Sequence, residues 1–170
     1  MKTKSNGSIY VVVVFAVLAG YFTYQWWFNP QRAIKRQLGN LAAALSAPPA
    51  GRGDMDRLAR VAGLRNYFAP DVHVKAGPSG PELTSRDALV AAVAAWNPSA
   101  NGWTVDFVDV QIALDSDRRA RAYMTVEITT ADPRTGRRAV DAREVTVTLA
   151  EQEGVWVITS AEPVETLQRP

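Results

Sequence analysis

The chain contains no cysteine, which excludes disulfides, thiolate metal sites and cysteine nucleophiles together. The compartment stays open on this count, because an oxidising space permits disulfides without requiring them. Histidine is nearly absent: His73 stands alone, so a multi-histidine metal site is excluded, and neither a metal nor a cofactor is expected. No acidic residue occurs before residue 30, and only Lys2 and Lys4 of the nineteen basic residues do. Beyond residue 30, seventeen Lys and Arg therefore balance seventeen Asp and Glu. The pI near 9.1 arises partly from the tail. A nucleic-acid binder would show a basic excess on one face, so no nucleic-acid partner is expected.

What the chain does have is one long apolar run, Ile9 to Phe28, reading IYVVVVFAVLAGYFTYQWWF without a charge. At about 1.5 Å per residue these twenty residues span roughly 30 Å, a bilayer's hydrocarbon thickness. Tyr10 at one end and Tyr24, Trp26 and Trp27 at the other suit the two membrane–water interfaces. Met1-Lys2-Thr3-Lys4 with Val17-Leu18-Ala19 would also make a signal peptide. The apolar run continues well past Ala19, however, and cleavage there would leave YFTYQWWF in water. An uncleaved anchor is expected, with residues 1–8 as a short cytoplasmic tail and 9–28 as the span. Lys2 and Lys4 are nearly balanced by Arg32, Lys35 and Arg36. The short basic tail favours an inner-membrane, single-pass topology with the N-terminus cytoplasmic and the domain extracytoplasmic.

The remainder is one domain of common size, 31–165, followed by a short tail, 166–170. Ile34, Leu38, Leu41, Ala42 and Leu45 form a helical stripe within Gln31 to Ser46. Asp54 is expected to cap a second helix with Met55, Leu58, Val61, Ala62 and Leu64 inward. A short strand, Asp71 to Lys75, follows, and Thr84 with Asp87 suggests a capping box for a helix reaching about Trp96. From Gly102 the period changes to two: Thr104 to Leu114, Ala120 to Thr130, Arg138 to Ala150 and Val155 to Glu162 alternate as strands. The first of them changes phase between Phe107 and Val108, which predicts a β-bulge or a sharp bend. Turns are read at Asp115 to Asp117, Asp132 to Gly136 and Glu151 to Gly154, giving an antiparallel meander. Helices segregated from a curved antiparallel sheet make an α+β cone.

Three segments resemble the nuclear transport factor 2-like superfamily, which includes ketosteroid isomerase, scytalone dehydratase and SnoaL-type polyketide cyclases. They are Leu64-Arg65-Asn66-Tyr67-Phe68-Ala69-Pro70-Asp71-Val72-His73-Val74, Ser85-Arg86-Asp87-Ala88-Leu89-Val90, and Val145 to Leu149 with Gly154 to Ile158. The resemblance implies a cone of three helices on a curved sheet and leaves function open, because this fold hosts many activities. It also implies that Ala76 stands where the isomerases carry their catalytic aspartate, and an aliphatic residue near Leu41 where they carry a tyrosine. A methyl group can neither abstract a proton nor donate a hydrogen bond, so no isomerase chemistry is expected.

Ligand-pocket candidates are Tyr67, His73, Trp96, Trp103 and Asp109. His73 reads more simply as a solvent-facing strand residue, and the aromatics as core. Asp106, Asp109, Arg119 and Arg121 could form the Asp-Arg-Asp cluster of the fold's epoxide hydrolases, although strand-edge charges are most often solvated. Arg119, Arg121, Tyr123 and Glu127 share one parity of a central strand and are interface candidates. In layout the chain is similar to periplasmic assembly subunits of type IV secretion systems and to accessory proteins of mycobacterial lipid importers. The expected function is a membrane-anchored, non-catalytic binding or assembly module with a protein partner or a second copy. The alternative is a cone that binds a lipid or small apolar ligand, and an isomerase, cyclase or hydrolase ranks below both.

Overall fold

The computed structural model of the protein describes residues 14–18, 29–47, 54–75, 77, 80–95, 102–132 and 134–164, with 54–58 as backbone only. Helix α1, Pro30–Leu45, opens where Asn29 accepts a hydrogen bond from the Gln31 amide at 3.0 Å and proline occupies the first turn. Ile34, Leu38, Leu41 and Ala42 form its buried stripe, as the spacing predicts. Helix α2, Asp54–Gly63, runs into a 3-10 turn, Leu64–Tyr67, and then strand β1, Phe68–Lys75. Leu64 is buried, but Ala62, expected to face inward, is exposed.

A two-residue strand, β2 (Glu82–Leu83), precedes helix α3, Arg86–Ala95. Its cap is Ser85, whose hydroxyl accepts from the Ala88 amide at 3.2 Å, one residue later than the Thr84 expected. Asp87 is thereby released from capping and pairs with Arg65 at 2.6 Å. Strands β3 (Trp103–Ser116), β4 (Arg119–Ala131), β5 (Arg138–Gln152) and β6 (Val155–Pro163) form the expected antiparallel meander. The six strands lie in the order β2-β1-β6-β5-β4-β3, with β1 parallel to β6.

The phase change in β3 is a bulge. Val108 pairs with Thr125 and Gln111 with Tyr123, so Asp109 and Val110 together face Met124. Asp109 takes φ +54°, which lets Phe107 and Val110 both pack on the core despite their opposite parity. The first hairpin turns at Asp117–Arg118 rather than from Asp115, because β3 continues to pair through Ser116. The last turns at Glu153 and Gly154, both with positive φ, the two-residue turn that matches strand twist.

The core lies between α1 and the inner face of the sheet. Leu38, Leu41, Leu64 and Phe68 meet Ala120, Ala122, Met124, Val147, Leu149, Trp156 and Ile158 there. Burying a leucine of this kind contributes about 1.5–3 kcal/mol. Ala120 and Ala122 of β4 share this cluster with the larger Met124 and Trp156, which fill its depth. Val14 to Leu18 form a helical stretch whose apolar side chains are exposed, Phe15 to 71%. The rest of 9–28, with Tyr10, Tyr24, Trp26 and Trp27, lies outside the described residues. Among the described residues no helix is long and apolar enough to cross a membrane.

Candidate functional site

Alternation along β4 and β5 sends one set of side chains inward and the other outward. Inward, the residues buried as a whole are all apolar among the described residues. Leu41, at the position compared with the isomerases' tyrosine, is packing, 3% exposed. No cluster of three metal-ligating side chains occurs among the described residues.

The pocket candidates do not come together. His73 lies on β1 near the edge of the sheet, its side chain 57% exposed and 3.8 Å from Glu82 on β2. Asp109 is the exposed bulge residue of β3, at the opposite edge. Tyr67 packs partly buried against the core. Trp103 is half-buried, and its indole donates to the Leu45 carbonyl at 2.8 Å, tying the end of α1 to β3. Trp96 and Ala76 lie outside the described residues.

The outer face carries the interface candidates. Arg121 on β4 clasps Asp115 on β3 through three hydrogen bonds of 2.8–3.1 Å. That carboxylate raises the Arg121 pKa. Tyr123, two residues on, is 42% exposed. Glu127 is half-buried and sits opposite Asp106, an unfavourable like-charge pairing that solvent must screen. The four residues of the suggested epoxide hydrolase cluster are thus dispersed: Arg121 is committed to Asp115, and Asp109 stands on the bulge.

One feature of the surface went unread in the sequence. A groove of about 930 Å³ at the hairpin end of the sheet is lined by Arg65, Arg86, Arg118 and Arg119. Only the fold brings Arg118 and Arg119 beside Arg65 and Arg86. The Arg86 Nε is buried without a hydrogen-bond partner among the described residues.

A twisted, mostly antiparallel sheet with helices packed on its apolar inner face defines the cone-shaped α+β class. The chain belongs to the SnoaL-like domain family, whose model matches residues 55–162. No curated protein matches the sequence. It is similar in structure to an NTF2-like protein with a cystatin-like fold from Novosphingobium aromaticivorans, at 11% identity and TM-score 0.67 over 86% of this chain and 88% of that one. A protein from Catenulispora acidiphila solved in complex with S-DNPA aligns at 15% identity and TM-score 0.61, covering 79% and 92% of the two chains. The association domain of C. elegans CaMKII aligns at 11% identity and TM-score 0.61, covering 79% and 95%. Identities this low establish the shared fold alone.

Proposed function

We propose that this protein is a membrane-anchored, non-catalytic binding or assembly module of a cell-envelope complex, its domain outside the cytoplasm. The observation that carries the reading is the interior: every residue buried as a whole among the described residues is apolar. A cone spent on packing leaves its surface for function. The exposed apolar side chains of Val14 to Leu18 support an anchor, since such a stretch is unfavourable in water and favourable in lipid. The C. elegans neighbour, described as an association domain, is a case of this fold serving assembly.

A second reading, an apolar ligand held in the cone, draws on the Catenulispora neighbour solved in complex with S-DNPA. Crosslinking of the full chain in native membranes separates the two. The assembly reading expects adducts of discrete mass, containing a second copy or a partner. Turnover of a steroid, epoxide or polyketide substrate, lost in Asp106→Asn or Asp109→Asn, would overturn the non-catalytic assignment.

A further inference from the structure

The arginine groove and the point where the anchor enters lie at the same end of the domain. Helix α1 runs antiparallel to β3. Near its start the Gln31 side-chain amide donates to the Ile112 carbonyl at 3.3 Å. Past its other end, Ser46 and Ala47 bond Val105 and Trp103 at 2.9 Å. The chain therefore enters beside the last part of β3, where β3 turns into β4 at Asp117–Arg118. Arg119 pairs with Ala150, so the β5–β6 turn at Glu153–Gly154 is at this end too. Phe28, the last residue of the apolar run, directly precedes the helix cap Asn29.

The groove at this end has both charge and an apolar floor. Phe68, Pro70 and Val157 line it with the four arginines, while Glu151 and Glu153 are the carboxylates of the lining, leaving two positive charges in excess. Arg65 is engaged with Asp87. Arg118 and Arg119 have no ion-pair partner among the described residues. Arg86 lines the groove, and its Nε is buried without a hydrogen-bond partner among the described residues. Arg32, Lys35 and Arg36 in the first two turns of α1 add positive potential at the same end, against Asp117 at the turn.

We propose that this groove binds the phosphate group of an anionic phospholipid from the membrane that holds the chain. The inference rests on the anchor in the function proposed above. Guanidinium groups match phosphate oxygens in planar, bidentate geometry, and the apolar floor takes the glycerol and first methylenes that a free phosphate lacks.

The test is native mass spectrometry of the full chain released from neutral-detergent micelles. The micelles carry equal amounts of phosphatidylglycerol or phosphatidylcholine. The expected result is roughly thirtyfold more phosphatidylglycerol adduct, the scale of a pair of arginine contacts with an anionic headgroup. Arg118→Glu with Arg119→Glu should bring it to the phosphatidylcholine level. Arg134→Glu with Arg138→Glu, an equal charge change at the β4–β5 hairpin, should not. Arg86→Ala should weaken the adduct and Arg86→Lys restore part of it. Equal adducts of the two lipids in wild type, or equal loss in the two double variants, would overturn the proposal. Titrated inorganic phosphate should leave the lipid adduct in place, and full displacement would overturn the lipid assignment in favour of a free anion. Alkaline carbonate extraction tests the anchor separately: release of the full chain into the soluble fraction would sink the anchor whatever the micelles show.

Discussion

Asp109 holds a left-handed backbone, φ +54°, that a side chain with a Cβ adopts at a cost and glycine adopts freely. Asp109→Gly is therefore expected to keep or raise stability, whereas Asp109→Val should lower it by about 1–2 kcal/mol. Chemical denaturation of the full chain in neutral detergent measures both. The same measurement should find Leu149→Ala, at a fully buried position, destabilising by about 2–5 kcal/mol. Val140→Ala, on an exposed strand position, should stay within about 0.5 kcal/mol of wild type. Asp132 is a case of charge rather than packing. Its carboxylate accepts from the Arg134 amide at 2.7 Å and the Thr135 amide at 3.1 Å, and these bonds lower its pKa. A depressed folded value means that its contribution is complete above the ordinary aspartate pKa of about 3.9 and fades as pH falls through the folded value. Carboxyl chemical shifts followed by NMR should place the Asp132 midpoint below that ordinary value, and Asp132→Asn should remove this acid-side loss.

The elements differ in how far local signals reach. The Glu153–Gly154 turn is local chemistry: positive φ at both positions, with Gly154 at +81°. Gly154→Val is expected to cost about 1–2 kcal/mol in the same denaturation assay. Ser85→Ala should cost about 0.5–2 kcal/mol by exposing the amide it caps. Thr84→Ala should cost less, and the comparison tells the two candidate caps apart. The meander, the stripe of α1 and the β3 bulge were legible because each leaves a periodic trace of its own. The partner of β1 was not, since nothing in Phe68 to Lys75 encodes that β6 lies beside it in parallel. Nor was the arginine groove, which draws on positions 65, 86, 118 and 119 and exists only once β1 and α3 meet the hairpin ends. Among the pocket candidates, Tyr67 and Trp103 became packing, as aromatics in a small domain usually do, while His73 and Asp109 were separated by the width of the sheet.

For the whole molecule, the outer sheet face and the hairpin end present different chemistry. The outer face offers Tyr123 beside the Arg121–Asp115 clasp, large and directional contacts of the kind interfaces use. Tethering copies in one membrane would raise their effective concentration and let a modest contact suffice. A photo-crosslinker at Tyr123 in native membranes is expected to capture a second copy or a partner, and Arg121→Glu to weaken the capture. An unchanged pattern would remove this face from consideration. The hairpin end, by contrast, offers a basic groove with an apolar floor, suited to an anion and poorly suited to a broad protein contact.

Strand β3 ends the sheet, and an unpaired row of amides and carbonyls is a template on which another chain can add a strand. Concentrating copies in two dimensions would sharpen that hazard. Here the row is already occupied where it matters. Ala47 exchanges hydrogen bonds with Trp103, the Ser46 hydroxyl accepts from the Val105 amide, and the Gln31 side chain donates to the Ile112 carbonyl. Between these points Asp109 breaks the repeat with a charged, kinked residue. Helix α1 thus also acts as a guard against runaway polymerisation. Its removal would expose that edge together with the core face that Ile34, Leu38 and Leu41 cover.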